Sequence, residues 1–218
     1  MERMPKTLGG EPIAFQAKPF EIGKVDGMIK RGFDIIISVL LIIVTSPITL
    51  ILLMMIPLTS KGSSIYTQER LGINGMPFLI YKFRSMIDGA EVNTGPVLAL
   101  SKDPRITKIG AFLRATRLDE LPQLYNVLIG DMSLVGPRPE RHKFVTEFCL
   151  QLPDYPCRMN VKPGITGYAQ IKGTYRTPPA EKLHYDKWYI ENYSIWLDIK
   201  ILCKTALVVV NLDKARGV

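Results

Sequence analysis

The densest group of reactive side chains is RATRLDELPQLYN, residues 114 to 126. It holds two adjacent carboxylates, Asp119 and Glu120, with Arg114 and Arg117 before them and Pro122 after. The pattern allows two readings. Thr116-Arg117-Leu118-Asp119 fits a capping box and Pro122 suits a first helical turn, so the carboxylates are helix-start residues that complement the dipole. The same geometry makes an anion site. A helix N-terminus attracts phosphate, two carboxylates can hold Mg²⁺ against phosphate oxygens, and the arginines can neutralise a pyrophosphate.

Other polar clusters surround this one. In GDMSLVGPRPERH (130–142), Pro137 and Pro139 pin the backbone around Arg138, which aims a guanidinium or simply builds a rigid surface turn. QERLG (68–72) and YKFRSM (81–86) place Lys82 and Arg84 as phosphate ligands if the fold brings them to Asp119; otherwise they are a solvated basic face. KPGITGYAQIKG (162–173) is rich in glycine and backbone amides that could line a nucleotide pocket, but it matches neither the Walker loop nor the dinucleotide fingerprint.

The elements that must position these groups begin with an apolar run. Residues 35 to 58, IIISVLLIIVTSPITLILLMMIPL, carry no charge. A straight helix of that length is about 36 Å, enough to cross a bilayer core, and the run starts too late and is too long for a signal peptide. Pro47 removes the amide that would serve the carbonyl of Ile43, and Ser46 can satisfy a freed group through its hydroxyl. Lys18, Lys24, Lys30 and Arg31 precede the run and Lys61 and Arg70 follow it. Basic flanks at both ends suit a segment whose ends share one face, so spanning and re-entrant arrangements both stay open.

The chain has 218 residues and a formal net charge of +8. The charge points to an anionic partner: phospholipid headgroups, a phosphorylated substrate or, least of the three, nucleic acid, for which no motif is present. Three widely spaced cysteines form neither a metal pair nor a disulfide framework and fit a reducing compartment; two distant histidines make a histidine metal site unexpected.

Residues 1 to 25 read as a mobile leader, 26 to 60 as the membrane helix, and 61 to 218 as a single α+β domain. Residues 63–86 read as a hairpin around Gly72-Ile73-Asn74-Gly75, 101–129 as helical, 153–180 as irregular with strand-like pieces, and 181–210 as helical again. Trp188, Trp196, tyrosines and lysines mix with aliphatics in the tail, which predicts that residues around 194 to 210 rest on the membrane; ordinary core helices are the alternative.

In order, KRGFD, Ser46-Pro47, QERLG, YKFRSM, TRLDELPQLYNVLIGDMSLVGPRPE and KPGITGYAQI resemble the bacterial sugar transferase family, the monotopic phosphoglycosyl transferases. The resemblance runs from about Met28 to the C-terminus. It implies a re-entrant helix–break–helix with its break at Ser46-Pro47, and a motif where the chain enters the membrane at Lys30, Arg31 and Asp34 that supports the break or a lipid headgroup. It implies that Asp119 is a nucleophile, that Glu120 helps hold Mg²⁺, and that Arg114 and Arg138 bind phosphate. The implied reaction moves a sugar-1-phosphate from a UDP-sugar to undecaprenyl phosphate and releases UMP through a phosphosugar-aspartyl intermediate, at the cytoplasmic face of the bacterial inner membrane. The length after Gly164 is closer to members acting on UDP-galactose or UDP-glucose. A homodimer is compatible with it. The rivals are a membrane-bound UDP-sugar hydrolase and a scaffold whose carboxylates only cap a helix.

Overall fold

A computed structural model describes residues 23–92, 95, 97, 103–174 and 177–210. The leader expected over residues 1 to 25 lies almost wholly outside the described residues. The first element is α1, Lys24–Thr59, a 36-residue helix long and apolar enough to cross a membrane. Pro47 and Pro57 both lie inside it. Each proline leaves the carbonyl four residues earlier without its helical donor. Ser46 Oγ donates to the Ile43 carbonyl at 2.8 Å, as the sequence suggested. The Leu53 carbonyl, vacated by Pro57, accepts from Ser64 Oγ at 2.7 Å. With both carbonyls served, the helical hydrogen-bond pattern runs on through both prolines from Lys24 to Thr59.

Strands β1 (Ile65–Leu71) and β2 (Pro77–Phe83) form an antiparallel hairpin, with Lys82 opposite Tyr66. Its turn holds Asn74 at φ 55 and Gly75 at φ 71, left-handed positions that asparagine and glycine tolerate. Then come α2 (Lys108–Ala115), a 3-10 turn (Leu118–Glu120), α3 (Gln123–Ile129) and β3 (Ser133–Val135). Helix α4 (His142–Gln151) and a second 3-10 stretch (Tyr155–Asn160) lead to β4 (Gly164–Thr166), which pairs parallel to β3. Helices α5 (Tyr168–Lys172), α6 (Pro179–Glu191) and α7 (Ile195–Val210) follow. YAQIK is thus helical, where strand-like pieces were expected.

The glycines of KPGITGYAQIKG serve packing. A Cβ on Gly164 would lie 2.1 Å from Gly136 N, and Gly164 N donates to the Pro137 carbonyl at 2.9 Å. Only bare backbone lets β4 approach the start of the Pro-Arg-Pro turn so closely.

Both halves of α1 pack on the rest of the chain. Phe33, Ile37 and Ile42 lie against the cluster of Leu124, Val127, Val135, Tyr189 and Ile201. Leu52 and Ile56 are buried with Phe83 and Leu113. Between them Leu40, Ile43, Val44, Leu50 and Ile51 are exposed.

Polar residues near the start of α1 lock it down. Lys30 Nζ reaches Asp198 Oδ2 at 2.6 Å and the Val135 carbonyl at 3.2 Å. Arg31 donates to the Val127 and Leu128 carbonyls at 2.5 and 2.7 Å, where α3 runs out of its own donors. Asp34 Oδ1 accepts from Ser133 Oγ and Leu134 N, both at 3.1 Å. The three residues expected to support a break or a headgroup all have protein partners.

Asn126, fully buried, clamps β2: its Nδ2 donates to the Leu79 carbonyl at 2.7 Å and its Oδ1 accepts from Tyr81 N at 3.1 Å. Removing it orphans both groups, so Asn126→Ala is expected to cost about 2–4 kcal/mol, read as a lower urea midpoint in detergent.

Candidate active site

The chain turns sharply between α2 and α3. Arg117 has φ 58, a left-handed conformation rare for arginine, and Thr116 Oγ1 donates back to the Phe112 carbonyl at 2.9 Å. Thr116 therefore closes α2 and caps nothing ahead of it, so the capping box is not formed. The turn sends Leu118 and Leu121 into the cluster around Leu113 and Ile56, and this leaves Asp119 and Glu120 beside β2, each 8% exposed.

Three cations converge on Glu120 Oε1. Arg138 Nη2 is 2.5 Å away, Lys82 Nζ 3.6 Å and Arg117 Nη1 3.8 Å. Burial alone would weaken this acid, but Arg138, Lys82 and Arg117 hold it well below the usual carboxylate range. Burial lowers Lys82 to about 8, against the pull of Glu120. Asp119 has no direct hydrogen bond or ion pair within 4 Å among the described residues. Burial first, and the Glu120 charge second, push its carboxyl up, while Lys82, Arg114 and Arg138 offset part of the rise. One carboxylate is thus saturated with positive charge and its neighbour is left open.

The sequence-predicted residues separate into two groups. Lys82, Arg138, Asp119 and Glu120 meet. Arg114 stands at the end of α2 with its Nε on Ser85 Oγ at 2.9 Å, and its charge acts on Asp119. Arg84 is elsewhere: it donates to the Ser60 and Lys61 carbonyls just past the end of α1, at 2.7 and 2.5 Å. It stands one residue past the end of β2, and its guanidinium is engaged by the chain after α1 rather than by the dyad. Ser46 and Pro47 lie in α1 away from the ionic cluster. Sequence reasoning missed Asn126, whose only signal was a polar residue inside an otherwise apolar stretch, and Ser85, which gave no local sign beside Arg84.

No group of three or more His, Cys, Asp or Glu poised for a metal exists among the described residues. A closed protein cage is therefore absent there. A small hard dication that keeps water and substrate phosphate oxygens needs only one or two carboxylates, and the Asp119–Glu120 pair fits that donor set.

The family model described as Bacterial sugar transferase matches residues 25–212. The chain belongs to the bacterial sugar transferase family. Its relatives include an Aeromonas hydrophila protein named UDP-N-acetylgalactosamine-undecaprenyl-phosphate N-acetylgalactosaminephosphotransferase, 43% identical over 191 residues, 86% of this chain and 45% of that protein. A Klebsiella pneumoniae protein named UDP-glucose:undecaprenyl-phosphate glucose-1-phosphate transferase is 45% identical over 186 residues, 83% of this chain and 40% of that one. A Caulobacter vibrioides protein of the same name is 37% identical over 194 residues, 85% of this chain and 71% of its own length. The chain thus spans less than half the length of the first two relatives. Their names carry two different sugars at similar identity, so membership of the family does not fix the donor.

The two carboxylates make opposite predictions for stability. Asp119 has a raised pKa, so its ionised form costs stability above that pKa, and the cost vanishes as pH falls through it. Asp119→Asn should therefore melt no lower than the parent at pH 8, with the difference shrinking by pH 5 in scanning fluorimetry. Glu120 has the reverse sign: its contribution is full above the ordinary glutamate pKa and is lost only as pH falls through the depressed one. Glu120→Gln at pH 7 should cost about 1–3 kcal/mol, below the range for fully buried pairs because Arg138 is partly open to solvent.

Proposed function

We propose that this chain transfers a sugar-1-phosphate from a UDP-sugar, a hexose donor such as UDP-galactose or UDP-glucose, to undecaprenyl phosphate, with release of UMP. The observation that carries this is the pairing of an unpartnered buried carboxylate, Asp119, with a neighbour whose charge three cations already balance. A helix cap has no use for that division. A nucleophile does, because it must be free to reach phosphorus while the surrounding charge is neutralised.

Asp119 Oδ attacks the sugar-bearing phosphorus, and the bond from that phosphorus to the bridging oxygen breaks, so UMP leaves with the electron pair. A phosphate oxygen of the lipid then attacks the same phosphorus and breaks its bond to Asp119, which returns the carboxylate and gives the lipid diphosphosugar. Arg138, Lys82 and Arg114 orient the donor's phosphates and offset the repulsion between carboxylate and phosphate, about 4 kcal/mol for a pair at 4 Å in a medium of dielectric 20. Asp119 and Glu120 would hold Mg²⁺, which supplies further neutralisation of the phosphate oxygens.

The reading extends to the membrane. In it α1 enters and leaves by the cytoplasmic face of the inner membrane, and the dyad works at headgroup level. Packing of both halves of α1 on one body supports this, because a spanning helix holds its ends on opposite sides. α7 lies in the interface: Trp196, Lys200, Cys203, Lys204 and Leu207 are exposed at spacings that share one face.

Purified protein with Mg²⁺ and a panel of UDP-sugars should release UMP from one donor only when undecaprenyl phosphate is present, and Asp119→Asn should lose at least 10³-fold of that rate. UMP without lipid would instead indicate hydrolysis, and none from any donor would favour the scaffold. In a Trp188→Phe variant, the fluorescence of Trp196 should be quenched by brominated phospholipids in nanodiscs; unquenched emission would remove α7 from the interface.

A further inference from the structure

The Pro-Arg-Pro turn is held by three main-chain anchors. The Pro137 carbonyl accepts from Gly164 N at 2.9 Å and the Glu140 carbonyl accepts from Leu71 N at 3.0 Å. The third is different in kind. The Arg138 carbonyl accepts from a side chain, Arg158 Nη2, at 3.1 Å. The φ angles of Pro137 and Pro139 are fixed by their rings, and Arg138 is confined to extended conformations by the proline after it. Its ψ angle still has a range, and the carbonyl direction reports that angle. Whatever holds the carbonyl holds the base of the Arg138 side chain, whose far end is on Glu120.

Arg158 is built for this task. It is 7% exposed, and each of its guanidinium nitrogens is used. Nε donates to Asp186 Oδ2 at 3.0 Å, Nη2 lies 2.8 Å from the same oxygen, and Nη1 donates to the Tyr155 hydroxyl. Asp186 comes from α6 and is 1% exposed. A buried ion pair of this sort is no stability device by itself, since apolar replacements of similar volume are often neutral or better. What it supplies is direction. A guanidinium fixed at two edges can aim its remaining N–H at one carbonyl, which an ammonium group cannot do.

We infer that Arg158, held by Asp186 and Tyr155, is a positioning residue that sets Arg138 on Glu120 and so completes the charge balance of the dyad. The inference rests on the proposed transferase reading for its kinetic consequence but not for its geometry. Arg158 touches neither the dyad nor any reacting atom, and it acts only through Arg138. This assigns a role to two buried charges, Arg158 and Asp186, that neither belong to the ionic cluster nor face solvent.

Two double-mutant cycles test it. The first uses urea unfolding in detergent. The coupling between Arg138 and Glu120 is measured with Arg138→Lys, Glu120→Gln and their combination, in the parent and again with Arg158→Lys. The coupling should weaken at least fivefold in the unfolding equilibrium constant when Arg158 is replaced; an unchanged coupling overturns the inference. The second measures lipid-dependent UMP release per folded molecule. Arg158→Lys should slow turnover about tenfold or more in the parent, yet have under twofold effect once Arg138→Lys is present. Equal losses in both backgrounds would mean that Arg158 acts elsewhere, and the positioning role would be abandoned. If Arg158→Lys does not fold, Tyr155→Phe, which removes one hydroxyl from the same guanidinium, is put through both cycles with the same signs expected. A parent that releases no UMP defeats the transferase reading alone, because the unfolding cycle still judges Arg158.

Discussion

Two neighbouring carboxylates cannot both stay ionised in a buried place unless cations compensate them, and the arrangement around Glu120 is the form that compensation takes here. Arg138, Lys82 and Arg117 all address one oxygen, Glu120 Oε1. Much of the architecture follows from getting them there. The hairpin delivers Lys82, the left-handed residue Arg117 swings the dyad against β2, and the β3–β4 pair delivers the Pro-Arg-Pro turn. Each comes from a different stretch of sequence, so the cluster exists only when the small elements are assembled. Asn126 on α3 ties two of them together by holding the backbone of β2 beside the strand position that carries Lys82.

Local signals were legible in the sequence and distant partners were not. The hairpin could be read because Asn74 and Gly75 sit where its turn needs positive φ. The dyad could be read because two carboxylates beside two arginines is an unusual local concentration of charge. Ser46 could be matched to the Ile43 carbonyl because a proline always orphans the group four residues back. The capping box failed for a local reason: Thr116 had a better use in closing α2. Arg84 and Lys82 looked alike because both lie in YKFRSM, but Lys82 lies within β2 and reaches Glu120, whereas Arg84 lies one residue past the strand and turns to the chain after α1. Lys30, Arg31 and Asp34 could be read only as a motif supporting the break or a headgroup, because their protein partners, Asp198, the end of α3 and β3, lie about a hundred or more residues further along. Arg158 and Asp186 gave no local sign at all.

The long apolar helix is joined to the domain more thoroughly than an anchor requires. A tether needs one attachment, whereas α1 contributes to two separate apolar clusters and carries Lys30, Arg31 and Asp34 to protein partners. The Leu53 carbonyl freed by Pro57 is satisfied from outside the helix, by Ser64. The helix is therefore part of the core of the domain, and Arg84, bonded to the residues just beyond its end, brings that joint to within one residue of Ser85, which holds Arg114.

The Lys30–Asp198 contact has a consequence for synthesis. Its two residues are 168 positions apart, so the first helix emerges from the ribosome long before the acid that neutralises its lysine. At roughly 5–20 residues per second that interval is on the order of ten seconds or more. Throughout it an apolar segment and its polar motif stand without their final partners. A nascent chain in that condition needs a temporary host for its greasy surface, and early capture by lipid would serve as a holding station until α7 arrives with Asp198.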